Sequence, residues 1–268
     1  MSLTATFDPI LSRVRISALV PAGSTQSVNV QRSPNGIQWT TIRGGTRIPA
    51  VPGDTVTLDD YEFVPGAVNR YRLQRYGAGV NPIGTDPSGQ ITPAQSAVWL
   101  KSITRPWLNR GVAVVSHGDI TRPARNGVFP IIGRSFPIAV TDVRLAREWD
   151  MVIKADSVSD ADALDLVFAS GDPLYIQVPA TGTLSTIPGG YVVVGDVKRS
   201  RYGSTSARRW FDLPLTEVAA PGPDVVGSTV TWESLLAEFG TWSAILAEFG
   251  SWAEVAEYVS DPQTVIVP

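Results

Sequence analysis

Residues Asn69–Tyr76 read NRYRLQRY, with Tyr71 and Leu73 set between Arg70, Arg72 and Gln74. That alternation puts apolar side chains on one face of an extended chain and polar ones on the other, as in a half-buried strand. Stretches of the same kind precede it: VRISALV at 14–20, SVNVQRS at 27–33, IQWTTIR at 37–43 and DTVTLDD at 54–60. Pro21-Ala-Gly, Pro34-Asn-Gly, Gly44-Gly45 and Pro52-Gly53 separate them. Short β-branched or aromatic runs broken by turn residues predict a β-sandwich over residues 1–95. Residues 76–95, rich in Gly, Pro, Ser and Asn, supply its last edge strand and a connector.

Working outward, the corner at 63–73, FVPGAVNRYRL, carries an apolar residue, Pro65-Gly66 and then alternating apolar positions. In this it resembles a fibronectin type III domain. The usual corner tyrosine position is Asn69 here, and the aromatic falls at Tyr71. The resemblance implies a spacer or recognition module and says little about function.

A second domain is predicted over 96–218. Its strands read FPIAVTDV, DMVIKAD, PLYIQV, YVVVGDV and RWFDLPLTEV. One helix interrupts them, with Ser159 as N-cap, Asp162 at its third position, Leu164, Val167 and Phe168 as the buried face, and Gly171 closing it. Strands, one helix and more strands predict a β-sandwich or barrel flanked by a single helix. Residues 219–230, opening AAPGPDVVGS, read as a linker.

The arm at 231–268 repeats every ten residues: TWESLLAEFG, TWSAILAEFG, SWAEVAEYVS. Trp232, Leu235, Leu236 and Phe239 fall at i, i+3, i+4 and i+7, as do Trp242, Ile245, Leu246 and Phe249, and Trp252 and Val255 begin a third set. Ten residues at about 100° each leave the stripe roughly 80° short of whole turns, so one continuous helix would wind it around the rod. Gly240 and Gly250 sit where a helix ends, Thr241 and Ser251 where the next begins, and Ser251 with Glu254 makes a capping box. Three short helices follow, too short to persist alone in water. These ten apolar residues are the candidate partner-binding site, with tryptophan as the anchor type enriched at interface hot spots. Folding back onto the chain's own core is the alternative.

The chain carries 22 Lys and Arg against 25 Asp and Glu. All the bases lie at or before Arg209, while residues 210–268 carry nine acids and no base. An acidic, apolar appendage on a basic body suggests docking on another copy or on a basic partner; keeping an apolar tail soluble is the other reading. No apolar run approaches the roughly 20 residues of a membrane span, and the Glu-rich polar face of the repeats argues against membrane insertion. The start, MSLTATFDPI, lacks a basic segment followed by an apolar one, so folding in a cytoplasm is expected.

Cysteine is absent and His117 is the single histidine, which leaves no zinc set and no Ser-His-Asp elbow. Asp160, Asp162 and Asp165 lack the glycine and closing glutamate of a calcium loop and read as first-turn acids. Asp59, Asp60 and Glu62 are carboxylates on a strand edge rather than a glycosidase pair. Arg208, Arg209 and Trp210, with Arg199 and Arg201, form a basic aromatic cluster better suited to a subunit contact than to nucleic acid. No catalytic, cofactor or metal residue is predicted, and no enzyme.

Four segments, VWLKSITRPWLN at 98–109, GRSFPIAVTDVR at 133–144, ADALDLVFASGDPLYIQVP at 161–179, and GYVVVGDVKRSR leading to RRWFDLPLTEVAAP, occur in an order similar to distal tail and baseplate proteins of long-tailed bacteriophages. The resemblance implies a tail-tube-like fold, a homo-oligomeric and by family hexameric ring, and a place in the virion between tail tube and tip. Its partners would be the tail tube protein, a tail hub or other tip proteins, and the tape-measure protein. The competing expectations are a virion adhesin that binds cell-surface carbohydrate and a baseplate part of a phage-like injection system.

Overall fold

The structure, a computed structural model, describes residues 3–86, 89–222, 240–249 and 252. The fold is mainly β. By packing, the chain divides into two compact units, one drawn from Met1–Gly111, Tyr175–Gly189 and Pro221–Pro268, the other from Val112–Leu174 and Gly190–Ala220. The division falls at Gly111/Val112, later than the boundary at 95/96 read from composition, because a connector's Pro and Gly content says nothing of what the following strand packs on.

In the first unit β1 (Leu3–Asp8), β2 (Arg13–Leu19) and β6 (Thr55–Asp60) form one antiparallel sheet. The other sheet contains β3 (Ser27–Ser33), β4 (Thr40–Thr41), β7 (Asn69–Tyr76) and β8 (Pro82–Asp86), with β5 (Ile48–Pro49) and β9 (Gln90–Ile91) pairing at its margins. Val14, Ile16 and Ala18 of β2 meet Val28 and Val30 of β3 and Tyr71 and Leu73 of β7 in one buried core, with Phe63 among them. Their alternation with exposed or half-buried neighbours is the two-residue period of a pleated strand. Truncating Leu73 to alanine in such a core costs about 2–5 kcal/mol.

The expected strand at 37–43 shrinks to Thr40–Thr41. Asn35 Oδ1 accepts from the backbone N–H groups of Ile37 and Gln38, both at 2.9 Å, and Gly36 adopts φ +75°. That side-chain turn takes the start of the segment out of the ladder.

Strands β10 (Val98–Ser102), β11 (Arg110–His117), β14 (Glu148–Ala155), β15 (Leu174–Gln177), β16 (Gly190–Val194), β17 (Lys198–Arg201) and β18 (Arg209–Glu217) are hydrogen-bonded in the order β14-β11-β10-β15-β16-β18-β17. A further β14–β18 pairing closes six of them into a barrel, which decides between the two shapes expected. The β14–β18 ladder runs in unbroken register from Glu148 opposite Thr216 to Ala155 opposite Arg209. Met151 and Ile153 on one strand and Phe211 and Leu213 on the other are buried.

Helix α1 spans Val158–Ala169 and starts earlier than expected. Its N-cap is Ser157, whose Oγ accepts from Asp160 N at 3.0 Å and donates to Asp160 Oδ2 at 2.7 Å, so Ser159 and Asp162 are not the capping pair. The Ser-x-x-Asp spacing fits both registers, and Ala161, Leu164 and Val167 form the buried face. Phe168 lies 5.7 Å from Phe211, ring to ring, and Gly171, at φ +70°, follows the helix as expected.

The segment FPIAVTDV does not join the body. Between β11 and β14 the chain makes a long hairpin, 118–146, that contains β12 (Gly127–Phe129) and β13 (Ile138–Val140) and no buried residue. Thr121 and Glu148 exchange backbone bonds of 2.8 and 2.9 Å at its base, and Leu145 N reaches Pro123 O at 3.0 Å. Gly133, at φ +85°, lies in the turn that Arg134 N closes onto Ile131 O.

Candidate functional site

Among the predicted arm residues, helix α2 (Trp242–Phe249) is described. Gly240 has φ +74°, a conformation that suits glycine, and Thr241 caps the helix by accepting from Ala244 N at 3.2 Å. Ile245 is fully buried and Leu246 half-buried, while Trp242 and Trp252 remain 43 % and 48 % exposed. Their rings lie 6.1 Å apart, tilted by 55°. The structure thus separates the stripe, with Ile245 turned inward and two tryptophans paired at the surface. Phe249 belongs to the described helical span, and Trp232, Leu235, Leu236, Phe239 and Val255 lie outside the described residues.

The hairpin 118–146 is a second apolar surface; within it the sequence reading gives only FPIAVTDV, 136–143, as a strand of the second domain. Ile132 is fully exposed, Phe136 84 % exposed, and Val128, Phe129 and Val140 each more than half exposed. Isolated exposed apolar residues are ordinary, whereas this many on one hairpin is unusual for a protein surface. Its charged residues are Arg122, Arg125, Arg134 and Arg144 against Asp119 and Asp142. Arg125 and Asp142 stand 3.7 Å apart at the surface, where such a pair contributes little. The run GVFPIIGRSFPIAV has the same composition as a buried strand, so hydropathy alone could not expose it; its Pro130, Gly133 and Pro137 were the available signal.

Polar chemistry gathers in the first unit and is spent internally. Asp60 is buried, and its oxygens accept from Arg32 Nη1 at 2.7 and 2.8 Å, from Tyr71 Oη at 2.9 Å and from Glu62 N at 2.9 Å. Burial foremost, and then the Asp60 carboxylate, push the Tyr71 phenol far above its ordinary value. Asp59 pairs with Arg13 at 2.6 Å and Arg15 at 3.1 Å, and Glu62 with Arg43 at 2.8 Å. With every carboxylate of the 59–62 set held by arginine, these acids serve as anchors for the fold.

Lys101 is fully buried and donates to the carbonyls of Ser12 and Tyr61, with its ammonium 4.6 Å above the Phe63 ring. Burial holds it well below the ordinary lysine range, against the opposing pull of Asp60 and Glu62. Beside it Gln177 donates to Phe63 O at 2.6 Å, and Gln95 donates to Gln177 O at 3.2 Å. Ser12, at φ +48°, donates to Gln95 Oε1 at 2.9 Å. Nothing in the periodicity of the sequence pointed to this cluster.

The remaining candidates are accounted for locally. His117 is exposed, with Nδ1 3.2 Å from Gly118 O. Of the helix acids only Asp160 lies in the first turn; Asp162 and Asp165 pair with Arg199. Arg208 pairs with Asp156 at 3.1 Å, Arg209 donates to Ser206 O at 2.7 Å, and Trp210 packs against Tyr202, so the basic cluster is partly neutralised. On the outer face of β3 and β7, Arg72 lies 4.2 Å over Trp39 and Arg47 3.5 Å over Tyr76. One ring face of each aromatic is thereby taken, which weakens that sheet as a sugar platform. Among the described residues no group of three or more His, Cys, Asp or Glu could hold a metal, and no helix is long and apolar enough to cross a membrane. Compared with protein-family models and with curated proteins, the chain matches none.

Proposed function

We propose that the protein is a structural, non-enzymatic component of a bacteriophage tail tip, of the distal-tail or minor-tail kind. It forms a ring at the end of the tail tube and connects the tube to tip or hub proteins. The observation that carries this reading is the hairpin 118–146, a segment of 29 residues without one buried side chain, rich in Ile, Val and Phe. A chain that leaves so much apolar surface uncovered gains from association about 25 cal/mol for each Å² removed from water. The exposed Trp242–Trp252 pair adds a second such surface. The mainly β architecture agrees with a ring subunit, and the ordered segments from VWLKSITRPWLN to RRWFDLPLTEVAAP supply the phage-tail assignment. In this role the protein is assembled in the host cytoplasm and retained in the virion.

Mass spectrometry and antibody labelling of purified particles of the encoding phage test the reading. The expected result is a fixed number of copies per tail, with label at the end distal to the head; absence from particles refutes it.

A further inference from the structure

We propose that the hairpin 118–146 of one copy is the docking site for the Trp-repeat segment, residues 231–260, of a second copy. The inference rests on the assembly reading only in requiring more than one copy, and it names the two surfaces that meet. Both are apolar and opposite in charge: the hairpin carries four arginines against two aspartates, and residues 231–260 carry five glutamates and no base. Hairpin on hairpin would bring like positive charges together, and repeat on repeat like negative ones, each costing free energy at a desolvated contact. Only the unlike pairing buries both apolar sets while bringing opposite charges together.

The two surfaces are also matched in kind. Ile132 and Phe136 offer exposed aliphatic and aromatic area on a ribbon tied at its base and along β12–β13. Trp242 and Trp252 offer two large rings held 6.1 Å apart, the geometry of a double anchor. Because the surfaces are different patches of one chain, the contact pairs unlike surfaces, reciprocally in a dimer or head-to-tail in a larger assembly. Each copy gives one and receives one, and repetition closes a ring if the rotation allows.

The experiment uses the full chain and two variants, Ile132→Glu/Phe136→Glu in the hairpin and Trp242→Ala/Trp252→Ala in the repeats. All four side chains are substantially exposed, so unchanged circular dichroism melts are expected. Light scattering after size-exclusion chromatography reads assembly. Each variant alone is expected to lose self-association by about tenfold or more. Mixed in equal amounts, they are expected to form a one-to-one dimer and nothing larger, because one intact interface remains in the pair. An Arg122→Glu/Arg134→Glu chain, which keeps the apolar side chains, is expected to lose assembly likewise and regain it on mixing with Glu248→Arg/Glu254→Arg.

Self-association of the repeat variant at wild-type strength would show hairpin on hairpin and overturn the proposal, as would wild-type association of the hairpin variant. A mixture that stays monomeric would overturn it too, since the repeats would then dock elsewhere. Presence in purified particles is measured separately, so a monomeric protein still found in tails would refute this docking and leave the tail reading standing.

Discussion

Asn69 shows how one side chain can hold a corner. Its Oδ1 accepts from Val64 N at 2.9 Å, and its Nδ2 donates to Val64 O at 2.8 Å and Ala67 O at 2.9 Å. A corner tyrosine bonds back to backbone a few residues upstream; here a fully buried asparagine makes that return link, and Tyr71 is released to reach Asp60. Asn69→Ala strands two carbonyls and an N–H, and should cost about 2–4 kcal/mol in urea unfolding, more than Tyr71→Phe at about 1–3 kcal/mol. Lys101 adds a pH effect. Its folded value lies below the ordinary lysine value of the unfolded chain, so the unfolded state binds the proton more tightly. Stability should therefore rise with pH across the window between the folded value and the ordinary lysine range, and Lys101→Met should flatten that rise. Urea midpoints measured through that window check it.

At the scale of elements, legibility followed burial. NRYRLQRY forms β7 with the expected limits because its burial largely alternates, and SVNVQRS forms β3 with the expected limits because Val28 and Val30 alternate with polar residues, although Asn29 between them is buried too. Ser157-Asp160 and Ser159-Asp162 carry the same pattern in the sequence, and the bond from Asp160 N to Ser157 Oγ separates them. Ser157→Ala should then cost about 0.5–2 kcal/mol, whereas Ser159→Ala should be nearly neutral. FPIAVTDV shows the opposite case: an exposed apolar segment has the composition of a buried strand, so its exposure cannot be read from hydropathy. Lys101 and Gln177 left no trace, since one buried polar residue has no period. Amide exchange should distinguish the elements as well, with β12 and β13 exchanging far faster in the isolated protein than β14 and β18. Docking as proposed above should protect the hairpin amides selectively.

For the whole molecule, the hairpin is the longest exposed connection within the second unit. Arg122, Arg125, Arg134 and Arg144 all lie on it, and none is buried. Brief trypsin treatment of the free protein should cut there first, and the fragments should stay together, because the β14–β18 ladder lies wholly on the C-terminal side and β11 pairs across the cut. Gel electrophoresis under denaturing conditions and chromatography under native ones together read both outcomes.

The order of synthesis gives the buried amide of Gln177 another meaning. The first unit takes Tyr175–Gly189 from far along the chain, and Gln177 satisfies the carbonyl of Phe63, which leaves the ribosome more than a hundred residues earlier. Until that amide arrives, the nascent sandwich has a carbonyl to be covered by water and an incomplete polar cluster around Ser12. The N-terminal unit is thus begun first but finished only after most of the second has been made, so a chain cut short before Tyr175 should fold its sandwich loosely and be cleared from the cell.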